Sequence, residues 1–117
     1  MKRDWNLIRE ILLEVEELEP THALDLGQEL DPVKVTHQLL LIDSGFLSAK
    51  VEFAEGGKEY GLIYGMTWDG YELLSSIRDD SIWSKVKDRL TKVGGQVTIE
   101  VLKVLASTIV KQTLEIN

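Results

Sequence analysis

Residues 31–80 contain the pattern of a helix, a strand pair and a second helix, and this order limits the fold more than any other feature of the sequence. Asp31 followed by Pro32 is a strong helix start, because Asp accepts hydrogen bonds from the first turn and Pro fits the first helical position. The pattern predicts that this helix continues to about Ser44 and stops at Gly45.

The residues that follow alternate between apolar and polar types, as paired β-strands do. The alternation predicts one strand over residues 46–53 and a return strand over residues 60–66, joined by a turn that contains Gly56 and Gly57. Thr67 is the predicted cap of a second helix, which runs to the end of this segment. A helix, a hairpin and a helix in this order form the second half of a winged-helix domain.

The N-terminal part of the chain adds a helix and a short strand. Apolar residues at helical spacing predict a helix over residues 3–18, which Pro20 ends. Residues 23–26 predict a short strand, followed by a turn at Gly27. A complete winged helix has another helix at this point. Because residues 21–30 are too few for one, we expect that helix to be degenerate or missing.

Two further helices are predicted at the C-terminal end, over residues 81–93 and from Thr98 to about Leu114. The first of them has four apolar positions at helical spacing, Ile82, Trp83, Val86 and Leu90. The predicted fold class is therefore α+β, in a single domain of 117 residues. Its winged-helix-like core covers residues 1–79, and a C-terminal helical extension covers residues 80–117.

The last predicted helix is apolar around well over half of its circumference, although one apolar stripe would be enough to pack it on a single domain. Its second apolar side needs another partner, and a second copy of the chain is the simplest one. The sequence therefore predicts a homodimer whose contact helix contributes Val101, Leu102, Leu105, Ile109 and Val110.

The helix predicted over residues 32–44 occupies the recognition position of a winged helix. Its apolar face is predicted to contain Val35, Leu39 and Ile42. The other side then carries the predicted contact residues, Lys34, His37, Gln38 and Leu41. Direct readout of DNA bases usually relies on Lys and Arg donors, and this helix has one Lys and no Arg.

The charge of the chain disfavours nucleic acid as a partner. The net charge is −7 and the pI is about 4.8, and a dimer would carry −14, twice −7. Since duplex binding depends largely on basic residues that neutralise phosphates, we expect weak, salt-sensitive duplex binding at most. An acidic run indicates a solvated face or, as the alternative, a surface that attracts a basic partner; it consists of Glu14, Glu16, Glu17 and Glu19.

No residue pattern indicates catalysis or cofactor binding. Cysteine is absent, which excludes disulfides and thiolate metal sites, and no nucleophile motif occurs. His22 and His37 lack convergent metal ligands, and Asp79 with Asp80 indicates a helix end and a helix cap rather than acid–base carboxylates. We expect a protein that is not an enzyme and has no catalytic residue, metal or cofactor. The three tryptophans are predicted to be core anchors.

The first residues do not resemble a signal peptide, and no apolar run approaches membrane-spanning length. We therefore expect a cytoplasmic protein without a membrane partner.

Several segments resemble a known family. They are Met1–Asp4, Leu7–Arg9, Ile11–Leu12, His37–Leu40, Gly45–Leu47, Met66–Gly70, Ile77–Asp80 and Ile82–Lys87. Together they span nearly the whole chain and resemble the bacterial and prophage family catalogued as domain of unknown function 2513. The resemblance implies a small cytoplasmic protein, often phage-borne, with no assigned activity, and it supplies no catalytic residues.

Two classes of function remain. The first is a protein-interaction module that acts as a phage or prophage accessory or regulatory factor on an unknown host or phage protein. The acidic charge and the over-apolar last helix favour it. The second is a DNA-binding transcriptional regulator, which the scaffold favours together with Lys2, Arg3 and Arg9 near one end. Because one scaffold hosts many functions, fold alone does not decide, and we expect the first class.

Overall fold

A computed structural model describes residues 2–26, 31–57, 59–93 and 97–116 of the chain. Within these residues the protein has five α-helices and one three-stranded antiparallel sheet, so the predicted α+β class is confirmed. The elements are α1 (Trp5–Glu16), β1 (Leu24–Leu26), α2 (Pro32–Asp43), β2 (Leu47–Phe53), β3 (Glu59–Met66), α3 (Trp68–Ile77), α4 (Asp80–Val93) and α5 (Ile99–Ile116), with a 3₁₀ turn at Glu55–Gly57.

The chain forms two compact units. We call Arg3–Tyr71 the sheet unit, and Glu72–Asn117 with Met1–Lys2 the helical unit. The boundary between them falls inside α3. The predicted division at residue 79, and the prediction of a single domain, stay predictions.

In the sheet unit, β3 is the central strand, with β1 on one side and β2 on the other. One face of the sheet lies toward the core. Ile63 on this face is 0% exposed, and its partners on the neighbouring strands, Leu24 and Ala49, are partly buried. The pairing of β2 with β3 shifts between Ser48 and Ala49, so that β3 contains one extra residue there. Such a bulge re-aims the side chains beside it.

Gly61 is required by the close approach of β2 to β3. A Cβ atom at Gly61 would collide with the backbone carbonyl of Lys50, whereas a Cβ at Gly65 would meet no atom within 4 Å. Gly61 is therefore needed for the tight packing of the two strands, whereas the space beside Gly65 would admit a side chain.

Asp side chains cap the first two helices. Asp4 accepts a hydrogen bond from the backbone N–H of Leu7, and Asp31 accepts from those of Val33 and Lys34. The predicted start of α2 is thus confirmed. Helix α1 ends at Glu16, two residues earlier than predicted, and its last turn contains no basic residue that would stabilise the negative end of the helix dipole.

The segment between α1 and α2 contains the predicted short strand, β1, and no helix in its described residues. The predicted turn at Gly27 lies outside the described residues. Helices α1 and α2 contact each other, and they also contact β3 and β2 respectively, so the core of the sheet unit lies between them and the sheet.

The helical unit is built on the predicted apolar stripes. All four predicted positions of α4 are buried: Ile82, Trp83, Val86 and Leu90. Asp79 caps α4, as its Oδ1 accepts hydrogen bonds from the backbone N–H groups of Ser81 and Ile82. Thr98 caps α5 through a hydrogen bond from the N–H of Val101, and α5 packs against α4.

Helix α3 begins at its predicted cap, since Thr67 Oγ1 accepts a hydrogen bond from the N–H of Gly70. Its buried apolar side chains are those of Leu73, Leu74 and Ile77. Tyr71 lies at helical spacing from Leu74, but 47% of its surface is exposed, so it does not belong to the buried face. A tyrosine hydroxyl needs a hydrogen-bond partner, and water supplies one at the surface.

Candidate functional site

The predicted contact face of α2 is in fact its buried face. His37, Gln38 and Leu41 have 2%, 3% and 0% of their surface exposed. The residues predicted to form the buried face are only partly buried; they are Val35, Leu39 and Ile42. The predicted orientation of α2 is therefore wrong. Three of the four predicted contact residues of this helix belong to the interior.

His37 tolerates burial because both of its ring nitrogens have hydrogen-bond partners. Nδ1 lies 2.7 Å from the carbonyl oxygen of Val33, and Nε2 lies 2.8 Å from the backbone nitrogen of Asp4. An imidazole that donates from Nδ1 and accepts at Nε2 satisfies both contacts. The second contact also satisfies an N–H group at the start of α1. His37 therefore connects α1 to α2 and has a structural role.

Lys34, the fourth predicted contact residue, points toward α1. Its Nζ lies 3.4 Å from Glu14 Oε1, and 19% of its side-chain surface is exposed. Lys34 is the only Lys or Arg of α2, and the exposed positions of this helix include Thr36 and Asp43. Helix α2 thus presents no well-exposed basic side chain, whereas a helix that reads DNA needs such donors.

The surface with the most distinctive chemistry is the face of the sheet that points away from the core. We call it the outer sheet face; it consists of Asp25, Lys50, Glu52, Tyr60, Leu62 and Tyr64. Together with Gly61 these residues line a depression of about 370 Å³. The three β3 side chains of this face, Tyr60, Leu62 and Tyr64, are 44%, 39% and 50% exposed. A volume of this size is within the range of small-ligand sites.

The polar groups of the outer sheet face are ordered by one hydrogen bond. Tyr60 stands directly opposite Glu52 on the neighbouring strand, and its hydroxyl donates to Glu52 Oε2 at 2.8 Å. The hydrogen bond and the negative charge of Glu52 raise the pKa of Tyr60. Lys50 Nζ lies 3.8 Å from Glu52 Oε1. Glu52 therefore has two partners, which hold its carboxylate at the rim of the depression.

Charge is divided unequally between the two units. The sheet unit contains five Lys and Arg against fourteen Asp and Glu, a net charge of −9. The helical unit, including Lys2, contains eight Lys and Arg against six Asp and Glu, a net charge of +2. The negative charge of the chain is thus concentrated in the sheet unit, which is also the unit that contains the outer sheet face.

Comparison with known proteins identifies the family. The sequence model of the family described as "Hypothetical protein (DUF2513)" matches residues 2–96. The chain belongs to this family. An uncharacterized protein of Haemophilus influenzae is 30% identical over 117 residues, which are 97% of this chain and 99% of that protein. No solved structure matches the chain, so the winged-helix likeness stays a prediction. In the described part of this DUF2513 protein, none of the helices has both the length and the apolar character needed to cross a membrane.

The three tryptophans of this DUF2513 protein differ in exposure. Trp83 is 4% exposed, as expected of a core anchor, and Trp5 is partly buried. Trp68 is 78% exposed, so the prediction that it anchors the core is wrong. It occupies the first position of α3, and the sequence shows no signal for its exposure.

Helix α5 buries part of its predicted dimer face within the chain. Leu102 and Ile109 are 0% and 3% exposed, so in the single chain they already have contacts. Val101 is 48% exposed, and Leu105 and Val110 are partly buried. Two apolar residues outside the predicted set, Val104 and Leu114, are 66% and 69% exposed. The homodimer stays a prediction, and Val101 is the most exposed of its five predicted contact residues.

Proposed function

We propose that this protein is a non-enzymatic interaction module whose outer sheet face binds a protein partner. The observation that supports the proposal best is the exposed row of Tyr60, Leu62 and Tyr64 on a sheet whose other face is buried. Tyrosine combines a large apolar ring with a hydroxyl group, and aromatic residues are enriched where proteins bind one another. Two tyrosines with a leucine between them form one continuous row rather than a scattered set.

The biological role that we propose is that of a prophage-type accessory or regulatory factor that acts on a host or phage protein. The charge of the sheet unit supports a partner with a basic surface, because opposite charges steer association and suppress wrong partners. Binding steered in this way depends on ionic strength.

Sequence-specific DNA binding through α2 receives no support from its orientation. His37 and Gln38 are buried, and Lys34 lies close to Glu14. A nanomolar, sequence-specific complex with duplex DNA at physiological salt would contradict our proposal.

Site-specific photo-crosslinking tests the proposal. A benzoylphenylalanine residue is placed at Leu62, on the outer sheet face, and in a matched variant at Val104, an exposed apolar position of α5. Both variants are irradiated in nuclease-treated extract of the organism that encodes the protein. We expect the Leu62 variant to form one discrete adduct with a protein, and the Val104 variant not to form it. Equal capture at both positions, or no adduct at Leu62, would contradict the proposal. A product of twice the chain mass at Val104 would support the predicted homodimer.

A further inference from the structure

The depression on the outer sheet face combines aromatic rings with carboxylates. Asp25 on β1 pairs in register with Leu62, which pairs in turn with Lys50, so these three side chains form one row across the sheet. Tyr60 and Glu52 form the next row on the same face. The depression is thus lined by two carboxylates, one ammonium group and two phenol rings, around the apolar side chain of Leu62.

The charges of this depression favour a cation. The carboxylate of Glu52 offsets the positive charge of the neighbouring Lys50. Asp25 adds a second carboxylate to the lining, which leaves the depression with an excess of negative charge. The surrounding sheet unit carries −9, so the long-range field acts in the same direction. Aromatic ring faces also attract cations, through the negative potential above the ring.

We infer that the outer sheet face accepts an arginine or lysine side chain from a basic peptide segment of the partner. This inference rests on the proposed function and gives the chemistry of the bound group. The aliphatic stem of the side chain packs on Leu62 and the rings, while its cationic end lies near the carboxylates. Arginine fits best, because its guanidinium group is planar, stacks on aromatic rings and is more weakly hydrated than an ammonium group.

The hydrogen bond from Tyr60 prepares the site for this ligand. It holds Glu52 in one position before the ligand arrives, so less side-chain freedom is lost on binding. A tyrosine hydroxyl is protonated at neutral pH in any case, and its hydrogen bond to Glu52 raises its pKa further, so Tyr60 remains a donor to Glu52. The ring of Tyr60 then remains available as an apolar wall.

Four capped pentapeptides serve as probes in the test. Each has one central residue between glycines and alanines, and the central residue is arginine, lysine, glutamine or glutamate. The full-length protein is titrated with each peptide and followed by amide chemical shifts, at an ionic strength of about 0.01 M, where the screening length is about 30 Å. We expect shifts to cluster at the residues of the outer sheet face, with affinity in the order arginine, lysine, glutamine, glutamate.

Three variants make the test specific. Tyr64→Ala removes a ring and Glu52→Gln removes a carboxylate, and we expect each to weaken binding of the arginine peptide about two- to fivefold. Glu10→Gln removes the same charge from an exposed position of α1, and we expect a change below about twofold. Amide shifts of the free variants show that each one is folded.

Two patterns of binding would overturn the inference. One is equal weakening by Glu10→Gln and Glu52→Gln, since binding would then respond only to net charge. The other is binding of the glutamate peptide at least as tightly as the arginine peptide. If the arginine peptide fails while crosslinking at Leu62 succeeds, the inference is wrong and the proposed function stands. If crosslinking at Leu62 fails, the proposed function itself is wrong.

Discussion

The sheet unit and the helical unit differ in how many aromatic side chains they leave at the surface. Seven of the eight aromatic residues of the chain belong to the sheet unit, and only Trp83 belongs to the helical unit. Trp83 is 4% exposed, whereas Trp68, Tyr60 and Tyr64 lie largely at the surface. The helical unit uses its one aromatic side chain for packing. The sheet unit leaves at its surface aromatic groups that its packing does not require, so its surface is where function is best sought.

The largest expected contrast is between two tryptophans. Replacing the buried Trp83 by alanine should lower the free energy of unfolding by about 3–5 kcal/mol, because it leaves a cavity in the helical unit. Trp68→Ala removes an exposed ring and should change the free energy of unfolding by less than about 0.5 kcal/mol. Urea unfolding followed by circular dichroism measures both. Equal destabilisation by the two substitutions would show that Trp68 has a packing role, and the comparison would fail.

Two glycines of β3 sharpen the description of the sheet. Gly61→Ala brings a Cβ atom against the Lys50 carbonyl and should destabilise the protein by about 1–3 kcal/mol, as overpacking does. The matched substitution Gly65→Ala meets no atom within 4 Å, and alanine in a strand loses less backbone entropy than glycine. It should therefore leave stability unchanged or raise it by up to about 1 kcal/mol. Thermal unfolding separates the two variants, and a reversed order would contradict the pairing of β2 with β3.

The two histidines test the orientation of α2. His37→Leu removes the acceptor of the Asp4 N–H and should destabilise the protein by about 1–3 kcal/mol, the cost of a buried polar group left without a partner. His22→Leu, at an exposed position, should change stability by less than about 0.5 kcal/mol. Urea unfolding of both variants provides the comparison. If His37→Leu were as mild as His22→Leu, the buried orientation of α2 would be wrong.

The smallest expected effect is at the start of α4 in the helical unit. The hydrogen bonds from the Ser81 side chain and from the backbone N–H groups of Ile82 and Ser81 lower the pKa of Asp79 below its ordinary value of 3.8. A lowered pKa in the folded state means that the carboxylate stabilises the protein above that ordinary value. This contribution is lost as the pH falls through the folded pKa.

The substitution Asp79→Asn keeps a capping oxygen and removes the charge. We expect the variant to have a lower melting temperature than the natural protein at neutral pH, and the difference to shrink as the pH falls below the ordinary value of 3.8. A difference that does not change over this range would mean that the charge of Asp79 contributes nothing to the cap.

The sequence predicts helix α4 well and helix α2 poorly, and the reason is the contrast between their faces. In α4 the apolar residues form one stripe, and charged residues such as Lys85 and Arg89 occupy the rest. In α2 apolar residues surround the helix, so spacing does not distinguish a buried side from an exposed one. The burial of His37 and Gln38 depends on tertiary contacts, such as the one with Asp4, that no local pattern contains.

The outer sheet face illustrates a second limit. The alternation of β3 does place Tyr60, Leu62 and Tyr64 together on one face. It does not show that this more apolar face points outward while the face with Gly61 and Ile63 points to the core. Which face is covered depends on the packing of α1 and α2 against the sheet, which the strand pattern does not contain. Strand positions were therefore predictable, and the exposed surface was not.

Amide hydrogen exchange on the complex with the protein captured at Leu62 tests the central claim most directly. Exchange is measured on the full chain, free and bound, so that both units are compared in one experiment. Our account predicts added protection on the outer sheet face, at residues 50–52 and 60–64, and unchanged exchange along α4. Added protection in α4 or α5 with no change in β3 would contradict it, since the partner would then bind the helical unit.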